Sequence, residues 1–266
     1  MAHVMDLFRV DGKTALVTGG SRGLGYYAAE GLAEAGANVA ICGRNVSGNL
    51  EEAVQKLKGL GRDCIAIQCD VTKEEEVMQM AQRMKQHYGR CDILVNNAGV
   101  GAVTPSVDMS AESWTAMMNI NLLGTFLCCR EIGKLMIEQN SGSIINLSSE
   151  NGQVGFSVGM TAYATSKIGI IGLTRSLAVE WGRYNIRVNA VLPGNMAEGM
   201  METLKNTESP MYQYWGETML KLIPLNSFGT GDDMKGPIVF LASEAARYVS
   251  GAKIVIDGGF TINSGI

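Results

Sequence analysis

Thr14-Ala15-Leu16-Val17-Thr18-Gly19-Gly20-Ser21-Arg22-Gly23-Leu24-Gly25 is the stretch that decides the fold. Thr14–Thr18 is an apolar run of strand length, and Tyr26–Ala35 follows it with helical spacing. Between them, glycines at 19, 23 and 25 let the backbone turn sharply and approach a ligand closely. The start of the helix favours negative charge, so the turn suits a pyrophosphate. The spacing is G-x-x-x-G-x-G, and Gly23-Leu24-Gly25-Tyr26-Tyr27-Ala28 also fits G-x-G-x-x-G loosely. A glycine pattern carries weight only in this strand–turn–helix context.

The same alternation continues outward along the chain. Strands are expected at Asn38–Cys42, Cys64–Cys69, Asp92–Val95, Ser143–Leu147, Arg187–Leu192 and Lys253–Ile256. Helices are expected at Leu50–Leu60, Lys73–Tyr88, Ala111–Gln139, Thr161–Arg183 and Asp232–Ser243. The strands read as continuous apolar runs, as they do when both faces of a sheet are covered. Alternating strand and helix predicts an α/β fold, a Rossmann-type doubly wound parallel sheet of about seven strands with helices on both faces. No linker or composition break divides residues 1–266, so one domain is expected. The irregular zone 195–228 carries Met196, Met200, Met201, Met211 and Met219 beside Tyr212, Tyr214 and Trp215. It reads as a helical substrate cover, either packed on the core or moving as a lid.

Composition excludes several classes of function. Of 266 residues 46 % are hydrophobic and 18 % charged, with a net charge of −4, so no basic surface points to nucleic acid. No apolar run reaches the roughly 18 residues that cross a bilayer. Glycine is in excess at 33 residues while proline is only 5, which separates it from linker sequence. Two histidines, His3 and His87, cannot build a His-rich metal site. The six cysteines, with no C-x-x-C spacing and no apolar signal core over Met1–Val10, read as small buried hydrophobes in a reducing cytoplasm.

Gly19-Gly20-Ser21-Arg22-Gly23 also matches G-x-S-x-G, a hydrolase nucleophile turn, but its histidine would have to be His87. His87 closes an amphipathic helix, where a solvated or capping histidine is the expected role. Tyr163-Ala164-Thr165-Ser166-Lys167 carries different chemistry. Four residues apart on a helix, phenol and ammonium share a face. The cation is expected to lower the phenol's ordinary pKa near 10, making it a usable acid or base. Upstream, the strand Ser143–Leu147 delivers Ser148 and Ser149 at its carboxyl end, where open α/β sheets place ligands.

Thr18–Gly25, Asn96-Asn97-Ala98-Gly99, Ser149 and Tyr163–Lys167, in that order, resemble the short-chain dehydrogenase/reductase family. The likeness extends from Gly12 to the Asp257-Gly258-Gly259 turn. It implies a catalytic set of Asn121, Ser149, Tyr163 and Lys167. Tyr163 would exchange the proton with a carbonyl or alcohol, and Ser149 would orient the oxygen. Lys167 would hold the nicotinamide ribose, and Asn121 would anchor a relay water at a helix kink. Cofactor contacts would come from Gly19, Ser21, Arg22, Gly23, Leu24 and Gly25, and from Arg44 and Asn45. Asp70 and Val71 would meet the adenine, while Asn97, Ala98 and Gly99 would line its ribose. Pro193, Gly194 and Met196 would lie beside the carboxamide. No metal is implied. The resemblance also implies a homotetramer built through the helices 111–139 and 161–183. Its substrates point to 3-oxoacyl thioester reductases and to keto-sugar acid reductases such as gluconate 5-dehydrogenases.

Members of this family that use NAD commonly carry an Asp at the end of the second strand. Here Ile41-Cys42-Gly43-Arg44-Asn45 has none. Arg22 and Arg44 could clamp a 2′-phosphate instead, which favours NADPH/NADP+. A non-catalytic NADP(H)-sensing protein on the same fold is the alternative, although such a protein would be expected to lose Tyr163 or Lys167. Two departures stand out. The loop between Ser149 and Tyr163 is one residue longer than in many relatives, which leaves Ser148 as a second candidate. Glu198 stands where a cofactor-touching Thr is common, and a carboxylate beside a pyrophosphate is expected to point elsewhere.

Overall fold

The computed structural model describes residues 3–45, 49–156, 159–198, 216 and 218–263. Seven parallel strands form one sheet: β1 (Thr14–Thr18), β2 (Asn38–Gly43), β3 (Cys64–Gln68), β4 (Ile93–Asn96), β5 (Gly142–Leu147), β6 (Ile186–Pro193) and β7 (Lys253–Ile256). Their spatial order is β3-β2-β1-β4-β5-β6-β7. The chain winds outward from β1 through β2 to β3, then crosses back to place β4 against the other edge of β1. Between the carboxyl ends of β1 and β4 the winding reverses, and a crevice for ligand opens there. The register that sets this edge pairs Thr18 with Asn96 and Asn96 with Asn146.

The central strands are buried on both faces, which is why their sequences show no polar alternation, while the edge strands β3 and β7 are only partly buried. Ala15 and Val17 of β1 face a layer formed by α1 (Gly23–Glu34), α2 (Asn49–Lys58) and α7 (Asp232–Ala242). Leu16 faces the opposite layer of α3 (Glu74–Tyr88), α5 (Gly124–Gln139) and α6 (Thr161–Trp181). All six cysteines are free and buried, five of them (Cys42, Cys69, Cys91, Cys128 and Cys129) in this second layer. Where α5 meets α6 there is no room for a side chain at residue 133, because a Cβ on Gly133 would stand 2.7 Å from the Trp181 ring. Among the described residues no helix is long and apolar enough to cross a membrane.

The long helix expected over Ala111–Gln139 is continuous but not uniform. α4 (Ala111–Met118) passes into α5 through a π-helical segment, Asn119–Leu123. One extra residue in that turn swings Asn121 inward, fully buried. Of the zone 195–228, residues 199–215 and 217 lie outside the described residues, and with them most of the methionines and aromatics from which a cover or lid was read. At its described start, Ala197 N–H donates to Gly229 O at 2.7 Å and Gly229 N–H to Asn195 O at 3.1 Å.

Candidate active site

The glycine turn is held by its neighbour strand. The Asn97 side-chain amide, just past β4, donates to the carbonyls of Thr18 and Gly19, both at 3.0 Å. Thr18 Oγ1 in return accepts the backbone N–H of Asn97 and of Ala98, again at 3.0 Å. Gly19 and Gly23 take φ of +64° and +54°, a region that disfavours side chains. A Cβ on Gly25 would overlap Asn97 Nδ2 and Gly19 O. Helix α1 therefore begins tight against the turn, and no side chain caps its first amides. Backbone donors of this kind at a helix N-terminus can take a phosphate.

Around this turn, Ser21 and Leu24 are half-buried, while Arg22, Arg44 and Asn45 are exposed. Neither arginine forms an ion pair among the described residues. Asp70 is half-buried and turns Oδ1 toward Thr72, accepting its N–H at 3.0 Å and its hydroxyl at 2.8 Å. Although burial opposes it, those bonds hold the Asp70 carboxyl below its ordinary pKa. Val71 and Met196 are drawn into packing: Val71 against the start of α5 at Gly124, and Met196 against Gly229. Glu198 does point elsewhere, accepting the N–H of Gly231 at 2.9 Å, at the start of α7, where a helix favours an anion.

The four residues expected to be catalytic converge at the carboxyl end of β5. The Ser149 hydroxyl is close enough to the Tyr163 phenol to favour its ionised form, and it accepts the N–H of Asn151 at 3.2 Å. Ser148, the alternative, is committed inside the protein, donating to Lys167 O at 2.7 Å. Lys167 is buried and lies 5.5 Å from the centre of the Tyr163 ring. Its Nζ donates to Leu147 O at 2.9 Å. A Cβ on Gly99 would stand 3.2 Å from Asn121 Oδ1 and 3.6 Å from Lys167 Nζ, so the strand that carries Asn97 also reaches this cluster.

The electrostatics depart from one expectation. Burial raises the Tyr163 phenol above its ordinary value, Ser149 opposes that rise, and the charge of Glu150 adds to it. Lys167 is not among the causes of that shift; its ammonium donates to the Leu147 carbonyl. Burial in turn pulls the Lys167 ammonium down to about 8.

Asn121 is held by supporting residues that were not among the expected site residues. Asn121 Nδ2 donates to Val100 O at 2.9 Å and to Ser166 Oγ at 3.0 Å, and Asn121 Oδ1 accepts the Val100 N–H at 2.8 Å. Ser166 Oγ donates onward to Tyr163 O at 2.7 Å. Below them, Asn96 donates to Asn146 at 2.9 Å and Asn146 to Thr174 at 3.0 Å, a buried polar line from β4 to α6. Ser166 lies inside the Tyr163–Lys167 motif and was findable there. By contrast His87, on which the hydrolase alternative depends, sits at the end of α3 with Nε2 2.8 Å from the exposed Asp63 carboxylate.

A family model described as Enoyl-(Acyl carrier protein) reductase matches residues 19–261. The chain is 39 % identical over 258 residues to D-threitol dehydrogenase of Mycolicibacterium smegmatis, covering 96 % of this chain and 95 % of that protein. It is 40 % identical over 250 residues to the 3-oxoacyl-(acyl-carrier-protein) reductase FabG of Staphylococcus aureus, covering 93 % and 97 %. Among solved structures, a gluconate 5-dehydrogenase of Burkholderia cenocepacia in complex with NADP and tartrate matches with a TM-score of 0.90 at 31 % identity, covering 98 % of this chain and 99 % of that one.

Asn121→Ala leaves the Val100 N–H and C=O without their partner at the π segment. Val100 is partly open to solvent, so each lost hydrogen bond costs about 0.5–1.5 kcal/mol and urea denaturation should show a loss of stability. An unchanged midpoint would mean that the segment does not depend on this side chain.

Proposed function

This chain belongs to the short-chain dehydrogenase/reductase family, and we propose that within it the protein interconverts a ketone and a secondary alcohol using NADP(H), with Tyr163 as the proton-transferring group. The observation that carries this reading is one cluster: Tyr163 within reach of Ser149, with Lys167 5.5 Å from its ring on the same helix face, beside the crevice between β1 and β4. The glycine turn suits a dinucleotide, since Gly25 leaves no room for a Cβ and the first amides of α1 are uncapped. When bound there, the nicotinamide supplies or accepts the hydride.

The chain's own residues do the rest. The Gly19–Gly25 backbone, with Ser21 and Leu24, holds the pyrophosphate, and Arg22 and Arg44 meet the 2′-phosphate. Exposed and unpaired, both guanidiniums are available to an anion. Asp70 and Val71 flank the adenine, while Pro193 and Gly194 close on the carboxamide side. Ser149 orients the substrate oxygen. Tyr163, kept protonated by its burial, donates to a ketone and takes the proton back from an alcohol. Lys167 holds the ribose, and Asn121 anchors the relay that restores the proton. NADP in the Burkholderia cenocepacia structure supports the cofactor choice. The relatives' names favour a small polyol or keto acid, or a 3-oxoacyl thioester, as substrate. Leu123 at the end of the π segment, Phe126 on α5, and Ile168 and Val179 on α6 are exposed and support assembly into a homotetramer through these helices. Six free thiols favour a reducing cytoplasm.

Tyr163→Phe should keep the fold and cofactor binding while turnover falls by about 10²–10⁴-fold, the usual worth of a positioned acid or base. Near-normal steady-state rates would exclude the role. For the cofactor, Arg44→Ala should weaken NADPH about tenfold or more and leave NADH nearly unchanged, because it removes one charge-assisted contact. Gly43→Asp should shift preference toward NADH; a Cβ there meets nothing closer than Leu50 at 3.8 Å. The same change at Cys42 would instead bury a carboxylate in the core. Fluorescence titrations at fixed ionic strength check both variants. Equal weakening of NADPH and NADH by Arg44→Ala would exclude the phosphate clamp.

A further inference from the structure

Glu150 directly follows the serine of the site, yet its side chain turns into the body of the protein and is only 3 % exposed. Oε1 accepts a hydrogen bond from Asn195 Nδ2 at 3.1 Å. Oε2 is buried and has no hydrogen-bond partner among the described residues. A Cβ on Gly194 would stand 2.7 Å from Oε2 and 2.6 Å from Asp257 Cβ. The bare backbone at 194 is therefore what lets Glu150 and Asp257 lie close together across the Pro193–Asn195 turn.

The two acids are not equivalent. Asp257 accepts the N–H of Gly259 at 2.9 Å and of Thr261 at 2.8 Å; its carboxyl stays below the ordinary value through its bonds to Thr261 and Gly259, against the effect of burial. Glu150 has one neutral donor, one empty oxygen and a charged neighbour. A buried carboxylate so placed is costly to ionise and takes up a proton instead. The other titratable groups around it do not compensate. Tyr163 faces it from α6 and is itself made harder to ionise by a charge on Glu150. Lys167, on the same helix, directs Nζ to Leu147 O, and Lys253 of β7 directs its own to Gln153.

We propose that Glu150 is a positioning residue that works as a neutral acid, bracing the Pro193–Asn195 turn against the Asp257 turn and keeping a second negative charge away from the Tyr163 phenol. The effect on Tyr163 rests on the functional assignment of that tyrosine, whereas the brace does not. The same two turns bear the described ends of the zone 195–228. Asn195 opens it, and near its close Leu225 N–H donates to Gly258 O at 3.2 Å. Burial, reinforced by the charge of Asp257, pushes the Glu150 carboxyl up to about 8. An acid raised on folding contributes stability that is full below its ordinary value and is lost as pH climbs to the folded one. The loss should therefore spread between about pH 4.5 and pH 8 and level off above that.

Glu150→Gln reproduces the neutral acid and tests both halves. Thermal melting across pH should show the variant gaining on wild type as pH rises through this window, with a constant gap above it. Alcohol oxidation should run at similar rates in both proteins near about pH 6 and faster in the variant above about pH 8, where only wild type carries the added charge. A melting gap that does not change with pH would overturn the brace. If Tyr163→Phe remains active while the gap still tracks pH, the tyrosine assignment fails and the brace stands. Carboxyl carbon NMR of glutamate-labelled wild type gives the answer without any variant. One side chain titrating near 8 supports the proposal, and all of them titrating in the ordinary acid range would overturn it.

Discussion

Where β1 and β4 part, the Asn97 amide holds the carbonyls of Thr18 and Gly19, and Thr18 Oγ1 holds the Asn97 and Ala98 amides. These four bonds join the glycine turn to the far half of the sheet. Without them, the uncapped start of α1 would have no fixed relation to the residues carried by β5 and α6. Gly25 belongs to the same constraint, since only a hydrogen in place of a side chain lets α1 begin so close to the Asn97 amide. The glycine turn and the Ser149–Tyr163–Lys167 cluster lie on different elements, and this clasp is what ties their positions together.

From the clasp, rigidity passes along hydrogen bonds rather than through packing alone. Three residues beyond Asn97, Val100 exchanges two bonds with Asn121, Asn121 reaches Ser166, and Ser166 reaches the Tyr163 carbonyl. Because buried amides cannot be left unpaired cheaply, this line admits few alternative geometries. The Asn96–Asn146–Thr174 line runs parallel to it, one layer deeper. The phenol that results is half-buried and hard to ionise, next to a lysine whose ammonium burial weakens.

Much of this was legible in the sequence because local and global preferences agree. The strands Thr14–Thr18 and Lys253–Ile256 have the expected bounds, since glycine turns and long apolar runs leave little choice. The π segment was not legible as such. One extra residue in a turn hardly disturbs helical periodicity, and its cause is the tertiary bonding of Asn121. Nothing in the sequence marks Asn146 as a buried partner, and only the fold places it in a buried network. The Tyr163 pKa was misjudged in sign because spacing on a helix shows that two groups are neighbours but not where the ammonium points. Nothing in the sequence marks Glu150 as buried. Its burial depends on Gly194 and Asp257, the latter more than a hundred residues away in the chain.

The central claim is that Tyr163 carries the proton and that a positive charge brought into the crevice releases it. A phenolate absorbance titration, with and without saturating NADP+, tests this most directly. In the free protein Tyr163 should stay protonated through neutral pH. With NADP+ bound, the oxidised nicotinamide adds a positive charge near the phenol, so one phenolate should form at markedly lower pH and be absent from Tyr163→Phe. If the phenolate signals of wild type and Tyr163→Phe coincide with NADP+ bound, Tyr163 is not the proton carrier.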